Sequence, residues 1–145
     1  MDKRTIGILG LGVFGRSIIN TLRKYNCDII AVDDHEDVIN HFEPILARGV
    51  VGDITDHDLL QAAGIDTCDT VVVATGDNLE SSVLAVMHCK SLGVEKVIAK
   101  VKSKTTRKVL LKVGADRCIS PERETGISLA KNILHQATTD VIELD

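Results

Sequence analysis

Apolar residues occur in short unbroken runs separated by segments with helical spacing, a pattern that predicts strands and helices in alternation. The runs fall at Ile6 to Leu9, Asp28 to Val32, Gly49 to Gly52, Asp69 to Ala74, Lys96 to Val101 and Asp116 to Ser120. The fourth, with Val71, Val72 and Val73 in succession, has the β-branched character of a strand covered on both faces. A helix is predicted from Val13, with Phe14, Ile18, Leu22 and Tyr25 on one face, and a second from His35 to Glu43, with Val38, Ile39 and Phe42 inward and Pro44 as its stop. Thr55 or Asp56 caps a third helix carrying Leu59, Leu60 and Ala63, closed by Gly64. Thr75 to Asn78 open a fourth, with Leu79, Val83, Val86 and Met87 on one face, ending at Gly93. A fifth spans Ser103 to Val113 and stops at Gly114; the last starts at Pro121 and carries the stripe Ile127, Ala130, Ile133, Leu134 and Ala137. Alternation with short connections specifies an α/β fold, a doubly wound parallel six-stranded sheet in the Rossmann strand order 3-2-1-4-5-6, whose ligand crevice lies between strands 1 and 4.

At the end of the first strand stand Gly10, Gly12 and Gly15 with the spacing G-x-G-x-x-G. In such a motif the first glycine makes a tight turn, the second lets a phosphate approach the backbone, and the third lets the helix pack closely. The second strand ends in Asp33, about twenty residues on, where a carboxylate suits a ribose 2′-hydroxyl and repels a 2′-phosphate. NAD or an adenosine phosphate is thus favoured over NADP.

The 145 residues make one domain of ordinary size, with a net charge of −4 and only Phe14, Tyr25 and Phe42 as aromatics. Both features disfavour nucleic-acid binding. Nine acids lie between Asp28 and Asp58, whereas seven bases and no acid lie between Lys96 and Lys112. Cys27, Cys68, Cys89 and Cys118 have no metal-site spacing and read as reduced thiols. The start Met-Asp-Lys-Arg does not read as a signal peptide, and no apolar run approaches 18 residues, so membrane association is expected to pass through a partner.

Collecting the carboxyl ends of the strands gives Gly10 to Gly15, Asp33 and Asp34, Asp53 and Ile54, Ala74 to Asn78, Lys100, and Ser120 to Glu122. For Asp77, Asn78 and Ser120, capping competes with ligand contact, while Lys100 is a cation that turn chemistry does not require. The five histidines fall on predicted helices, mostly on polar faces, and no nucleophile elbow, Walker lysine or H-E-x-x-H motif is present. No catalytic residue is expected. The competing readings are the cofactor half of an NAD-dependent dehydrogenase and a DNA-binding redox repressor.

Ile8 to Gly15, Ala31-Val-Asp33, Gly52-Asp-Ile-Thr55, Val72 to Gly76, Lys100-Val, Gly114-Ala-Asp116 and Ser120-Pro-Glu122 together resemble the N-terminal nucleotide-binding domain of RCK proteins (KTN or Trk-N). These are cytosolic regulatory subunits of Trk and Ktr type potassium transporters and of some potassium channels. The resemblance implies a non-catalytic sensor over residues 1–136, with 137–145 beginning a linker to a C-terminal domain. Its cofactor would be ATP, ADP or AMP, or NAD(H), held by Gly10, Gly12, Val13, Phe14, Gly15, Asp33 and Asp34. Asp53 and Ile54 would flank the adenine, and Ala74, Thr75, Gly76, Asn78 and Lys100 would line the phosphate side. Glu122 matches a position that helps hold a divalent cation between subunits. Such domains pair through their last helices into a ring, expected to be octameric, on a membrane-embedded transporter subunit, which places the chain in the cytoplasm at the inner membrane face. ATP-responsive Ktr members carry an arginine where this chain has Val13, and Arg16 stands close enough in sequence to compensate.

Overall fold

The computed structural model describes residues 3–144, with side chains through residue 136. Six strands, β1 (Arg4–Leu9), β2 (Cys27–Asp33), β3 (Arg48–Val51), β4 (Thr70–Val73), β5 (Lys96–Lys100) and β6 (Arg117–Ile119), alternate with six helices, α1 (Val13–Leu22), α2 (Glu36–Phe42), α3 (His57–Ala62), α4 (Leu79–Ser91), α5 (Lys104–Val113) and α6 (Pro121–Leu144). All pairings are parallel, in the order β3-β2-β1-β4-β5-β6, as the pattern of the sequence predicts. At the carboxyl edge Leu9 lies opposite Val32 on one side and Val73 on the other.

Each face of the sheet has its own core. Ile8, Ile29, Ala31 and Val72 pack with Ile19 of α1 and with Ile39 and Phe42 of α2. Leu9, Val32, Val71, Val73 and Val97 pack on the other face with Leu60 of α3, Ala85, Val86 and Cys89 of α4 and Leu110 of α5. Burial pushes the thiols of Cys68 and Cys89 up to about 12, so both are protonated apolar fillers.

Several local expectations differ from the structure. Helix α1 ends at Leu22, so Tyr25 lies beyond it and is exposed. Pro44 ends α2, but the chain continues as a 3-10 turn over Glu43–Ile45, for which proline at an early position is suited. In α4 the buried positions are Ser82, Ala85, Val86 and Cys89, while Leu79 and Met87 are exposed. The buried stripe of α4 uses small residues, which apolar periodicity underweights. The expected last helix is present as α6, and on the single chain Ile127 and Ile133 of its apolar stripe are exposed, at 45% and 60%. Ala137 and the expected linker over 137–145 lie outside the residues whose side chains are described.

Two glycine positions shape the carboxyl edge. Gly10 takes φ +96° and hydrogen-bonds Val32 O through its amide at 2.9 Å. A Cβ on Gly15 would run into Gly10 O and meet Ala74 Cβ at 3.4 Å, so α1 can sit this close only with glycine there. Replacing Gly15 with Ala is expected to destabilise the fold by about 1–3 kcal/mol. Circular-dichroism melting should show a midpoint several degrees lower; an unchanged midpoint would contradict the packing role.

Candidate functional site

The amides and side chains at the carboxyl edge converge on a cleft of about 490 Å³ above β1, β2 and β4, lined among others by Gly10, Gly12, Asp33, Asp53, Thr75 and Lys100. Of the other residues expected there, Asp34, Ile54, Ala74 and Asn78 also line it. Val13, Phe14, Gly15 and Gly76 do not. Val13 stands 78% exposed on the first turn of α1, and Phe14 packs into the core beneath that turn. Gly15 is under the loop, and Gly76 lies against Lys100. Glu122 borders a separate cavity of about 290 Å³, shared with Lys100, Lys102 and Arg123, and among the described residues no group of three potential metal ligands includes it.

Asp33 is almost fully buried and is committed to protein donors. Its Oδ2 accepts the Leu11 amide at 2.6 Å, and its Oδ1 accepts the His35 amide at 2.8 Å and pairs with His35 Nδ1 at 2.9 Å. Burial opposes the charge, but the Leu11 and His35 amides and the His35 ring outweigh it and hold the carboxyl below the ordinary value of 3.8. His35 Nδ1 also lies 2.8 Å from Asp34 Oδ1, and the hydrogen bond it donates to Asp33, helped by the Asp34 charge, raises its pKa. Asp53 closes a turn on itself, its Oδ1 taking the Thr55 amide at 2.9 Å and the Thr55 hydroxyl at 2.7 Å.

The helix termini around the cleft are not alike. Asp56 caps α3, Asn78 caps α4 and Ser103 caps α5, while α2 and α6 carry acids in their first turns. Among the six helices α1 alone has neither a side-chain cap nor a first-turn acid. Its N-cap, Gly12, has an ordinary φ of −75°, and a Cβ there would meet nothing within 4 Å. The fold therefore does not require glycine at this position, whereas close approach of a phosphate to the α1 amides does. Charge along the cleft is largely polarised, with Asp33, Asp34 and Asp53 at the β2–β3 end and Arg16 and Lys100 towards α1 and β5, where Asp77 also stands, paired with Lys102. His35, Val38 and Ser81 also line the cleft and were not singled out as site residues from the sequence. His35 falls on a predicted helix, but in the structure it precedes α2 as its N-cap and its ring pairs with Asp33.

Substituting Asn for Asp33 keeps one acceptor and turns an NH2 group towards either the Leu11 or the His35 amide, so a loss of about 1–3 kcal/mol is expected near neutral pH. Because the folded pKa is depressed, this carboxylate contributes stability above its unfolded value and loses it as pH falls through the lower folded value. Urea denaturation from pH 7 down to about pH 3 should therefore show the wild-type advantage over the variant shrinking with acidification. A pH-independent difference would contradict the assignment.

Residues 6–121 match the family model of the TrkA-N domain. The chain is 36% identical over 142 residues to Ktr system potassium uptake protein C of Bacillus subtilis, covering 98% of this chain and 64% of that protein. It thus spans somewhat under two thirds of the length of that relative. Among solved structures, the GsuK channel bound to NAD superposes with a TM-score of 0.69 at 23% identity, over 81% of this chain and 21% of that one. The Kef CTD of Shewanella denitrificans in AMP bound form superposes with a TM-score of 0.76 at 18% identity, over 92% of this chain and 81% of that one. With its fold, its glycine turn and the family model in agreement over most of its length, this chain belongs to the TrkA-N domain family.

Proposed function

We propose that this chain is the ligand-sensing domain of a potassium uptake system, binding an adenine nucleotide or NAD(H) without chemical change and biasing a membrane transporter through the difference in ligand affinity between two arrangements. The observation that carries this reading is the N-terminus of α1, with no cap, no acid and a glycine that opens to the cleft. That geometry suits a diphosphate, and the polarity of the cleft orients it. The adenosine lies towards Asp33, Asp53 and Ile54, and the phosphates lie over Gly12 towards Arg16, Thr75 and Lys100. The relative's name supplies potassium uptake, and the NAD-bound and AMP-bound structures of similar fold support the ligand class. Among the described residues no helix is long and apolar enough to cross a membrane, which agrees with action through a membrane-embedded partner. Pairing through α6, assembly into a ring and a linker over residues 137–145 leading to a further domain complete this reading, with Glu122 contributing to a cation site only once subunits meet.

A thermal-shift panel of ATP, ADP, AMP, NAD, NADH and NADP is expected to raise the melting midpoint with the first five. Ligand at about a hundred times its dissociation constant contributes roughly 2.7 kcal/mol. Gly12→Asp separates folding from binding, because aspartate is a good N-cap but fills the phosphate position with bulk and negative charge. The variant should melt no lower than wild type and lose the nucleotide shifts. Retained shifts would place the phosphates elsewhere, and the absence of a shift with any nucleotide in the wild type would sink the sensor reading.

A further inference from the structure

We propose that Lys102 reads the third phosphate of a nucleoside triphosphate, and that Asp77 occupies Lys102 until that phosphate displaces it. The inference rests on the nucleotide reading of the cleft and names what sets the length of its ligand. Asp77 lies in the β4–α4 connection and Lys102 in the β5–α5 connection, and Lys102 Nζ donates to Asp77 Oδ1 at 2.6 Å. The ion pair spans the two loops that border the phosphate end. Asp77 lines the 490 Å³ cleft, whereas Lys102 lines the cavities of about 180 and 290 Å³ beyond it. Lys100 lines both the cleft and the larger of these cavities, so the Asp77–Lys102 pair acts as the partition between them.

Asp77 is out of place by charge. The phosphate end is where an anion is to lie, yet an acid stands in its wall, tolerable because Lys102 neutralises it. A mononucleotide with its phosphate over Gly12 leaves the pair intact. A chain two phosphates longer extends towards β5 and meets the partition. There a terminal phosphate offers more charge and more acceptor oxygens than a single carboxylate. Both side chains are largely exposed, at 82% and 59%, so the existing pair holds little energy against exchange. Arg16 does not fill this role from its present position, since its Nε is turned back to Gly12 O at 3.3 Å. Once displaced, Asp77 faces the phosphate without a counter-ion and must withdraw, drawing on the adjoining Asn78, whose side chain caps α4. Third-phosphate binding is thereby tied to the start of a helix, which AMP leaves undisturbed.

Isothermal titration of the 145-residue chain with ATP, ADP and AMP tests this in wild type, Lys102→Gln and Asp77→Asn. Lys102→Gln is expected to weaken ATP about tenfold, the scale of one charge-assisted hydrogen bond, and to leave AMP within about twofold. Asp77→Asn frees Lys102 and should strengthen ATP relative to AMP. Equal changes for ATP and AMP, or an ATP affinity untouched by both substitutions, overturn the inference while the nucleotide reading stands. If none of the three binds the wild-type chain while NAD or NADH does, the inference falls alone; if neither these nor the dinucleotides bind, both fall together. Melting curves of the two variants, expected to match wild type because both positions are exposed, exclude misfolding as the cause of a weakened ATP.

Discussion

The buried bond from the Leu11 amide to the Asp33 carboxylate, 2.6 Å long, is the constraint on which the cleft depends. A carboxylate so far out of water persists in its charged form only when donors replace the lost solvation. Here they come from two different connections, Leu11 from the turn after β1 and His35 from the turn after β2. Satisfying one charge therefore locks two loops together and fixes where α1 begins. An ionised carboxylate offers about four acceptor positions, and three are used. Asp33 has one left, which in the proposed reading takes a ribose hydroxyl, so its first task is to hold the turn.

The same economy appears at the opposite edge of the sheet, where no ligand is in question. Asp116 Oδ2 accepts the Val97 amide at 2.8 Å and Lys90 Nζ at 3.0 Å, and Asp69 Oδ2 accepts the Thr5 amide at 2.8 Å. Burial opposes the Asp116 charge, but the Val97 amide and Lys90 more than offset it and lower its pKa. The Gly114-Ala-Asp116 signature is therefore scaffold. Gly114 has φ +133°, which ends α5, Ala115 is buried, and Asp116 accepts the Val97 amide near the start of β5. A motif that identifies a family need not touch its ligand.

The strand order and the cleft were legible in the sequence because continuous apolar runs, glycine turns and capping residues each report a local constraint that tertiary packing did not override. Asp56, Asn78 and Ser103 cap helices where their side-chain chemistry predicts. On α4 apolar spacing finds Val83 and Val86 but also selects the exposed Leu79 and Met87, because the contact layer uses Ser82, Ala85 and Cys89, whose small side chains suit close helix packing but carry little hydropathy. His35 escaped because its place in the cleft comes from a bond to Asp33 two residues earlier, which no periodicity records. The difference between Gly12 and Gly15, by contrast, follows the division of tasks that the spacing of the motif predicts. It lies in what a Cβ would meet, a backbone carbonyl at one and open space at the other.

That difference bears on how binding reaches the rest of the molecule. Gly15 and Gly10 make the α1 turn rigid, so a phosphate seated there finds amides already in place and loses little to reorganisation. A rigid seat gives affinity but no signal, since a ligand shifts an equilibrium only by binding two states unequally. The signal must arise where the wall can change, and the exposed pair between the β4–α4 and β5–α5 connections is such a place. Its small energy is suited to the task. Allosteric couplings run to about 1–3 kcal/mol, and a contact worth much more would hold the wall shut against any nucleotide. In the proposed reading, firm anchoring at β1 and β2 combined with a weak closure at β4 and β5 would let one cleft grip a nucleotide at one end and respond to its length at the other.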